Sequence, residues 1–135
     1  MAVNQVLQLS LEFPRLNGDE QRVLDALAGR RGRARALSAP SLAAMTGLDE
    51  RYVRDVVKRL VEVHRVPIGS TTSRPPGYYI IAGDEERRQV RASLIRRAVS
   101  ILQRARAYDR GPWVDQLIGQ LQLELERDAA VREVQ

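Results

Sequence analysis

Between positions 37 and 64 the chain reads "LSAPSLAAMTGLDERYVRDVVKRLVEVH", two apolar stripes at helical spacing split by Thr46-Gly47-Leu48. No other stretch limits the fold as much. Ser38 can cap a short helix whose first turn tolerates Pro40, and the spacing puts Leu42, Ala43 and Met45 on its buried side. Gly47 suits the positive φ at a helix end. Asp49 can cap a second helix to about residue 63, with an inward stripe of Tyr52 or Val53, Val56, Val57, Leu60 and Val63. Arg51, Arg54, Asp55, Lys58 and Arg59 fall on the other side. Two helices joined by a three-residue glycine turn form the helix-turn-helix pattern, although an ordinary helical bundle can share the spacing.

The segment after the second helix narrows the choice. "VPIGSTTSRPPGYYII", residues 66–81, holds two short β-prone runs around a polar loop. Val66 and Ile68 lead up, and Tyr78, Ile80 and Ile81 lead back. The intervening "GSTTSRPPG" is too long for a two-residue turn. Pro75 and Pro76 stiffen its tip and remove backbone donors. A hairpin placed directly after such a helix predicts a wing. Arg74 then sits where a wing reaches a minor groove or a phosphate, with Ser70, Thr71, Thr72 and Ser73 as neutral phosphate donors.

In a helix-turn-helix the second helix lies in the major groove, its N-terminal residues nearest the base edges. Arg51, Tyr52 and Arg54 are therefore the candidates for base reading, since arginine's planar fork can bond guanine O6 and N7 together. Lys58 and Arg59, further along, are placed for phosphates.

Charge points the same way. The chain of 135 residues carries a net +5, with 21 Arg against the single Lys58. From Arg22 to Arg110 there are 19 basic and 9 acidic residues, a net of +10, whereas residues 1–21 carry −2 and residues 111–135 carry −3. A positive middle suits a module that meets a polyanion, double-stranded DNA above all; a solvated basic surface has the same composition.

Around this centre, residues 6–13, "VLQLSLEF", alternate apolar and polar with a period of two and predict a half-buried strand, ended by Pro14. Its partner is either the edge of the wing or another subunit. "NGDEQRVLDALAGR" predicts a first helix capped by Asn17 or Asp19, striped by Val23, Leu24 and Leu27, and stopped at Gly29. "RRGRARAL" has no stripe and predicts a loop that carries Arg30, Arg31, Arg33 and Arg35, with a short strand at residues 36–37. These four arginines are further candidates for the DNA backbone.

Residues 84–107 predict one long helix, started by Asp84 with Glu85 and Glu86 in its first turn. Its expected apolar face is Val90, Leu94, Ala98, Ile101, Leu102 and Ala105. Gly111-Pro112 breaks it, and a last helix begins at Trp113 with a stripe of Val114, Leu117, Ile118, Leu121 and Leu125. That stripe can fold back on the long helix or pack on another copy. The missing positive surplus favours a homodimer through residues 84–130.

Other chemistries find little support. There is no cysteine and one histidine, His64, which cannot make a typical zinc site and is expected at the helix C-terminus or over the core. No glycine-rich phosphate cradle or magnesium-type carboxylate cluster occurs, so neither an enzyme nor a cofactor is expected. The N-terminus lacks a charged region followed by a continuous apolar stretch, and no run of about 18 apolar residues occurs, so we expect a cytoplasmic, nucleoid-associated protein away from membranes.

Residues from about 20 to 108 resemble small winged-helix proteins of phages and other mobile elements, often found in replication modules. The matching text is "VRDVVKRLVEVHRVPIGSTTSRPPGYYIIAGDEERRQVRASLIRRAVSILQRARAY". In that family a recognition helix runs into "PI", a short wing, "GYY", then an acidic-started helix with repeated arginines. Here the wing is longer, "TTSRPP" standing where a short serine-rich turn is usual. The resemblance implies a repressor or replication-origin factor, with a protein-interaction adaptor or helicase-loading factor as the alternative and a replication or transcription protein as its partner. The expected architecture is mainly α with a small β-hairpin wing: an arm over 1–15, a winged helix-turn-helix over 16–82, and a helical extension for dimerisation over 83–135.

Overall fold

A computed structural model of the chain describes residues 15–71 and 76–134. The expected strand at 6–13 lies outside them, as do Thr72, Ser73, Arg74 and Pro75. The described residues are mainly helical, with one two-stranded antiparallel hairpin. They comprise α1 (Gly18–Leu27), α2 (Ala39–Thr46), α3 (Glu50–Glu62), β1 (Ile68–Thr71), β2 (Gly77–Ile80), α4 (Gly83–Ala105) and α5 (Trp113–Val134). The chain divides into two compact units, one ending at Ala82 and one starting at Gly83.

In the first unit each helix starts on a side-chain cap. Asn17 accepts from the Glu20 N–H at 2.8 Å, and Glu20 accepts from the Asn17 N–H at 2.9 Å, a reciprocal capping box for α1. Ser38 caps α2 and Asp49 caps α3. Gly47 ends α2 at φ 73°, a left-handed conformation that glycine adopts without cost. α1 ends two residues before the expected Gly29, because Ala28 and Arg30 bond back to Asp25 and Leu27 in a tight turn.

Val23, Leu24 and Leu27 of α1, Leu42 of α2, and Val53, Val56, Val57 and Leu60 of α3 meet in one core, closed by Leu37, Val66, Ile68 and Ile80. Two expected core residues lie elsewhere. Met45 is exposed; Ala39, Leu42 and Thr46 form the inward row of α2, and the Thr46 hydroxyl donates to the Leu42 carbonyl at 2.8 Å. Val63 is exposed because it caps the end of α3, where the chain leaves the helix.

That exit is a left-handed turn closed by two backbone bonds. Val66 N–H bonds the Leu60 carbonyl and Arg65 N–H the Val61 carbonyl, with Arg65 at φ 57°. An arginine occupies a position that favours glycine. The hairpin begins at once, pairing Ile68 with Ile80 and Thr71 with Gly77. Pairing thus runs three residues beyond Ile68 into the stretch expected to be loop. Tyr79 lies over Gly69, where a Cβ would come within 2.4 Å of its ring. On its other side β2 pairs with the connection after α1: Tyr78 exchanges both backbone bonds with Leu37, and Ile80 bonds Arg30 and Gly32.

In the second unit α5 folds back on α4. Val99, Val114 and Ile118 are buried together, with Ile95, Leu102, Ala105 and Leu121 packed around them. Val114, Ile118 and Leu121 of the stripe expected to seek another copy are thus used within the chain. Leu94 and Ile101, expected on the buried face of α4, are 53% and 58% exposed. Leu102 and Ala105 of that face do meet α5, but they are joined there by Ile95 and Val99, one step round the helix from Leu94 and Ala98. No helix among the described residues is long and apolar enough to cross a membrane.

Replacing Arg65 with glycine removes the left-handed strain, and we expect a gain of up to about 1 kcal/mol in chemical denaturation. Unchanged or lower stability would show that the arginine side chain makes a contact that outweighs its backbone strain.

Candidate nucleic-acid interface

The position of every candidate side chain on α3 depends on how that helix is seated. Val53, Val56 and Leu60 are fully buried, so the opposite face of the helix turns to solvent. Arg51, Arg54 and Lys58, at spacings of three and four, form one exposed row there. Among the described residues the Arg51 guanidinium has no ion-pair partner. Arg54 pairs with Glu50 at 2.9 Å and Lys58 with Glu62 at 4.0 Å. Both pairs are exposed, and such pairs contribute about 0.3–0.5 kcal/mol on a helix, little enough for a phosphate or base edge to displace. Glu50 and Glu62 make this face less positive than Asp55 alone implied.

Two candidates on the neighbouring face are held elsewhere. Tyr52, assigned to base reading, donates its hydroxyl to Asp19 Oδ2 of α1 at 2.8 Å. That bond, reinforced by burial, pushes the phenol above its ordinary pKa. Arg59, assigned to phosphate, reaches back to Glu20 Oε2 at 3.3 Å. Both tie α3 to α1.

Glu20 is the residue that pattern reading missed. Its side chain is 2% exposed, and Oε2 takes His64 Nε2 at 3.0 Å as well as Arg59. His64 does sit at the end of α3, but its role is to hold the α1 carboxylate. Burial pushes the Glu20 carboxyl up, yet the Asn17 N–H, the His64 hydrogen bond and the Arg59 charge together hold it below the ordinary glutamate range. The available signal was the Asn17-x-x-Glu20 capping box; its long-range partners, 39 and 44 residues away, leave no local trace.

The hairpin stands beside the exposed row. Ser38, Ala39 and Pro40 of the α2 start, Arg54, Ser70, Thr71, and Pro76 to Tyr78 line an open groove of about 350 Å³. Arg54 therefore faces the hairpin across this groove, with the exposed Ser70 on its far lip. Thr71, expected as a neutral phosphate donor, belongs to the hairpin's own frame. It is buried in β1, and its hydroxyl oxygen accepts from the Gly77 N–H at 3.1 Å, which closes the hairpin below its tip. Thr72 and Arg74 lie outside the described residues.

The arginine-rich connection is more ordered than a loop. Arg33–Arg35 form a single 3-10 turn, and Arg30 and Arg31 are half-buried where their backbone pairs with Ile80. These four residues run along the edge of β2 away from β1, so they are not part of the α3 row. Among the described residues no group of three His, Asp or Glu is placed to hold a metal ion. Comparison with family models, curated proteins and solved structures finds no match.

The Glu20 cluster has a pH signature. A carboxyl whose folded pKa is depressed stabilises the fold fully above the ordinary glutamate range and loses that contribution as pH falls through the depressed value. Thermal melts across acid pH should therefore show stability declining there. Glu20→Gln should cost about 1–3 kcal/mol at neutral pH and flatten the decline. A variant with wild-type stability at pH 7 contradicts the role given to this cluster.

Proposed function

We propose that the chain is a sequence-specific binder of double-stranded DNA built as a winged helix-turn-helix. In this reading α2 and α3 are the helix pair, and α3 enters the major groove. The β1–β2 hairpin is the wing, lying on the adjacent groove or backbone. The observation that carries the proposal is the exposed row Arg51, Arg54 and Lys58 on a helix whose other face is sealed in the core, with a hairpin across a groove from Arg54.

Each part has a physical role. Arg51, near the α3 N-terminus and without an ion pair among the described residues, presents a planar fork to base edges. Arg54 exchanges Glu50 for a base edge or a phosphate. Lys58, half a helix further on, neutralises phosphate as a point charge. Ser70 and the α2 start supply neutral donors to the same strand of backbone. The Arg30–Arg35 connection adds sequence-independent attraction. A repressor or replication-origin factor of a mobile element is the biological role that fits such a module. An adaptor that docks a replication protein through α3 is the rival, and Glu50, Asp55 and Glu62 on that face are what favour it.

Fluorescence anisotropy on labelled duplexes separates the two. The DNA reading expects affinity to fall linearly with salt on logarithmic axes, with a slope of about −0.9 for each phosphate contacted. Arg51→Ala and Arg54→Ala should each weaken the preferred duplex by about 1–3 kcal/mol and reduce discrimination between sequences. Arg31→Ala should weaken all duplexes alike. Tyr52→Phe should leave binding unchanged, since that hydroxyl serves Asp19. Absence of duplex binding at low salt would overturn the proposal and favour the adaptor.

A further inference from the structure

The second unit carries more apolar surface than its own fold covers. α4 and α5 are 23 and 22 residues long, about 34 Å each at 1.5 Å per residue, yet among the described residues only Val99, Val114 and Ile118 are fully buried between them, with Ile95, Leu102, Ala105 and Leu121 partly buried around them. Most helical stability comes from packing an apolar face, and three fully buried side chains are few for two six-turn helices. The missing packing surface is nevertheless present. Leu94, Ala98 and Ile101 form a row of four- and three-residue steps along α4, and Trp113 and Leu117 form another on α5. Leu94, Ile101 and Trp113 are 53%, 58% and 65% exposed.

These two rows lie side by side. Arg91 continues the α4 row, and Glu124 and Asp128 continue the α5 row. Arg91 bonds Glu124 at 3.0 Å and also bonds Asp128. Both rows therefore occupy the same flank of the helical hairpin, apolar near the 109–112 turn and ionic towards the other end. Leu123, also exposed, falls on the outer face of α5, turned away from α4.

We infer that this flank is covered by a second copy of the chain, forming a four-helix bundle with both turns at the same end. Charge selects the occupant. α4 carries six Arg and three acids, a net of +3, and α5 carries two Arg and five acids, a net of −3. A surface that is half basic and half acidic matches its own copy turned by a two-fold axis, not a polyanion or a polycation. A two-fold axis parallel to the helices sets each α4 against the partner's α5. Every helix then borders two of opposite charge, and like-charged helices stand diagonally. The same axis brings the apolar ends together and places Arg91 beside the partner's acidic row. The stripe of α5 that meets α4 within the chain is not the dimer surface; the contact is the adjacent flank.

Sedimentation velocity on the full chain, without DNA, tests this. We expect a single species of twice 15.2 kDa, and a melting temperature that rises with protein concentration, a readout that needs no variant. Leu94→Glu combined with Ile101→Glu should yield a monomer, whereas Leu123→Glu should stay dimeric. A monomeric wild type, an assembly larger than two, or melting independent of concentration overturns the inference. So does a dimer that survives the double substitution or is lost with Leu123→Glu. None of these outcomes depends on whether the chain binds DNA.

Discussion

The burial of one face of α3 is the constraint on which the rest of the first unit depends. Val53, Val56 and Leu60 have no exposed surface, and with Val57 they fill the space between α1, α2 and the hairpin. Rotating the helix by a single position would expose part of this row and bury a charge, an expensive exchange at both ends. The exposure of Arg51, Arg54 and Lys58 is therefore a consequence of core packing. The polar contacts of α3 refine the same orientation. Asp19 takes the Tyr52 hydroxyl, and Glu20 takes Arg59 and His64, so α1 grips both ends of the helix along one side.

Much of this was legible because it is local. Caps at Ser38 and Asp49, the glycine at 47 and a three-and-four spacing of valines and leucines need no knowledge of the rest of the chain. The hairpin was readable in place and less so in extent, since Thr71 extends the pairing with a side-chain bond to Gly77 that no periodicity announces. The misplaced side chains fall into two groups. Val63 is an apolar residue at a helix end, where the core no longer reaches, and Met45 lies beside the inward row of α2, whose last member Thr46 is still buried. Tyr52, Arg59 and Glu20 are polar residues whose partners are far away in sequence. On α4 the apolar arc is broad enough to hold two rows, and hydropathy alone does not say which one meets α5.

The two units divide the electrostatic work. The first presents Arg51 and the weakly paired Arg54 and Lys58 on α3, and gathers further arginines in the Arg30–Arg35 connection. The second matches its charges across the helical hairpin, through Arg91 with Glu124 and Asp128 and through Arg106 with Asp115. A surface with balanced charge and uncovered leucine, isoleucine and tryptophan is suited to protein contact, whereas a cationic row beside a groove is suited to phosphate and base edges. In the reading proposed above, recognition and association thus fall to different parts of the chain.

Whether the exposed row of α3 and the neighbouring hairpin meet duplex DNA can be tested residue by residue. The measurement is a titration of isotope-labelled protein with a duplex selected from a random pool, followed through backbone amide shifts. Binding through this face should produce the largest changes at residues 49–58, with further changes at 38–40 and along β1 and β2. Changes concentrated on α4 and α5, or no change at low salt, would contradict it.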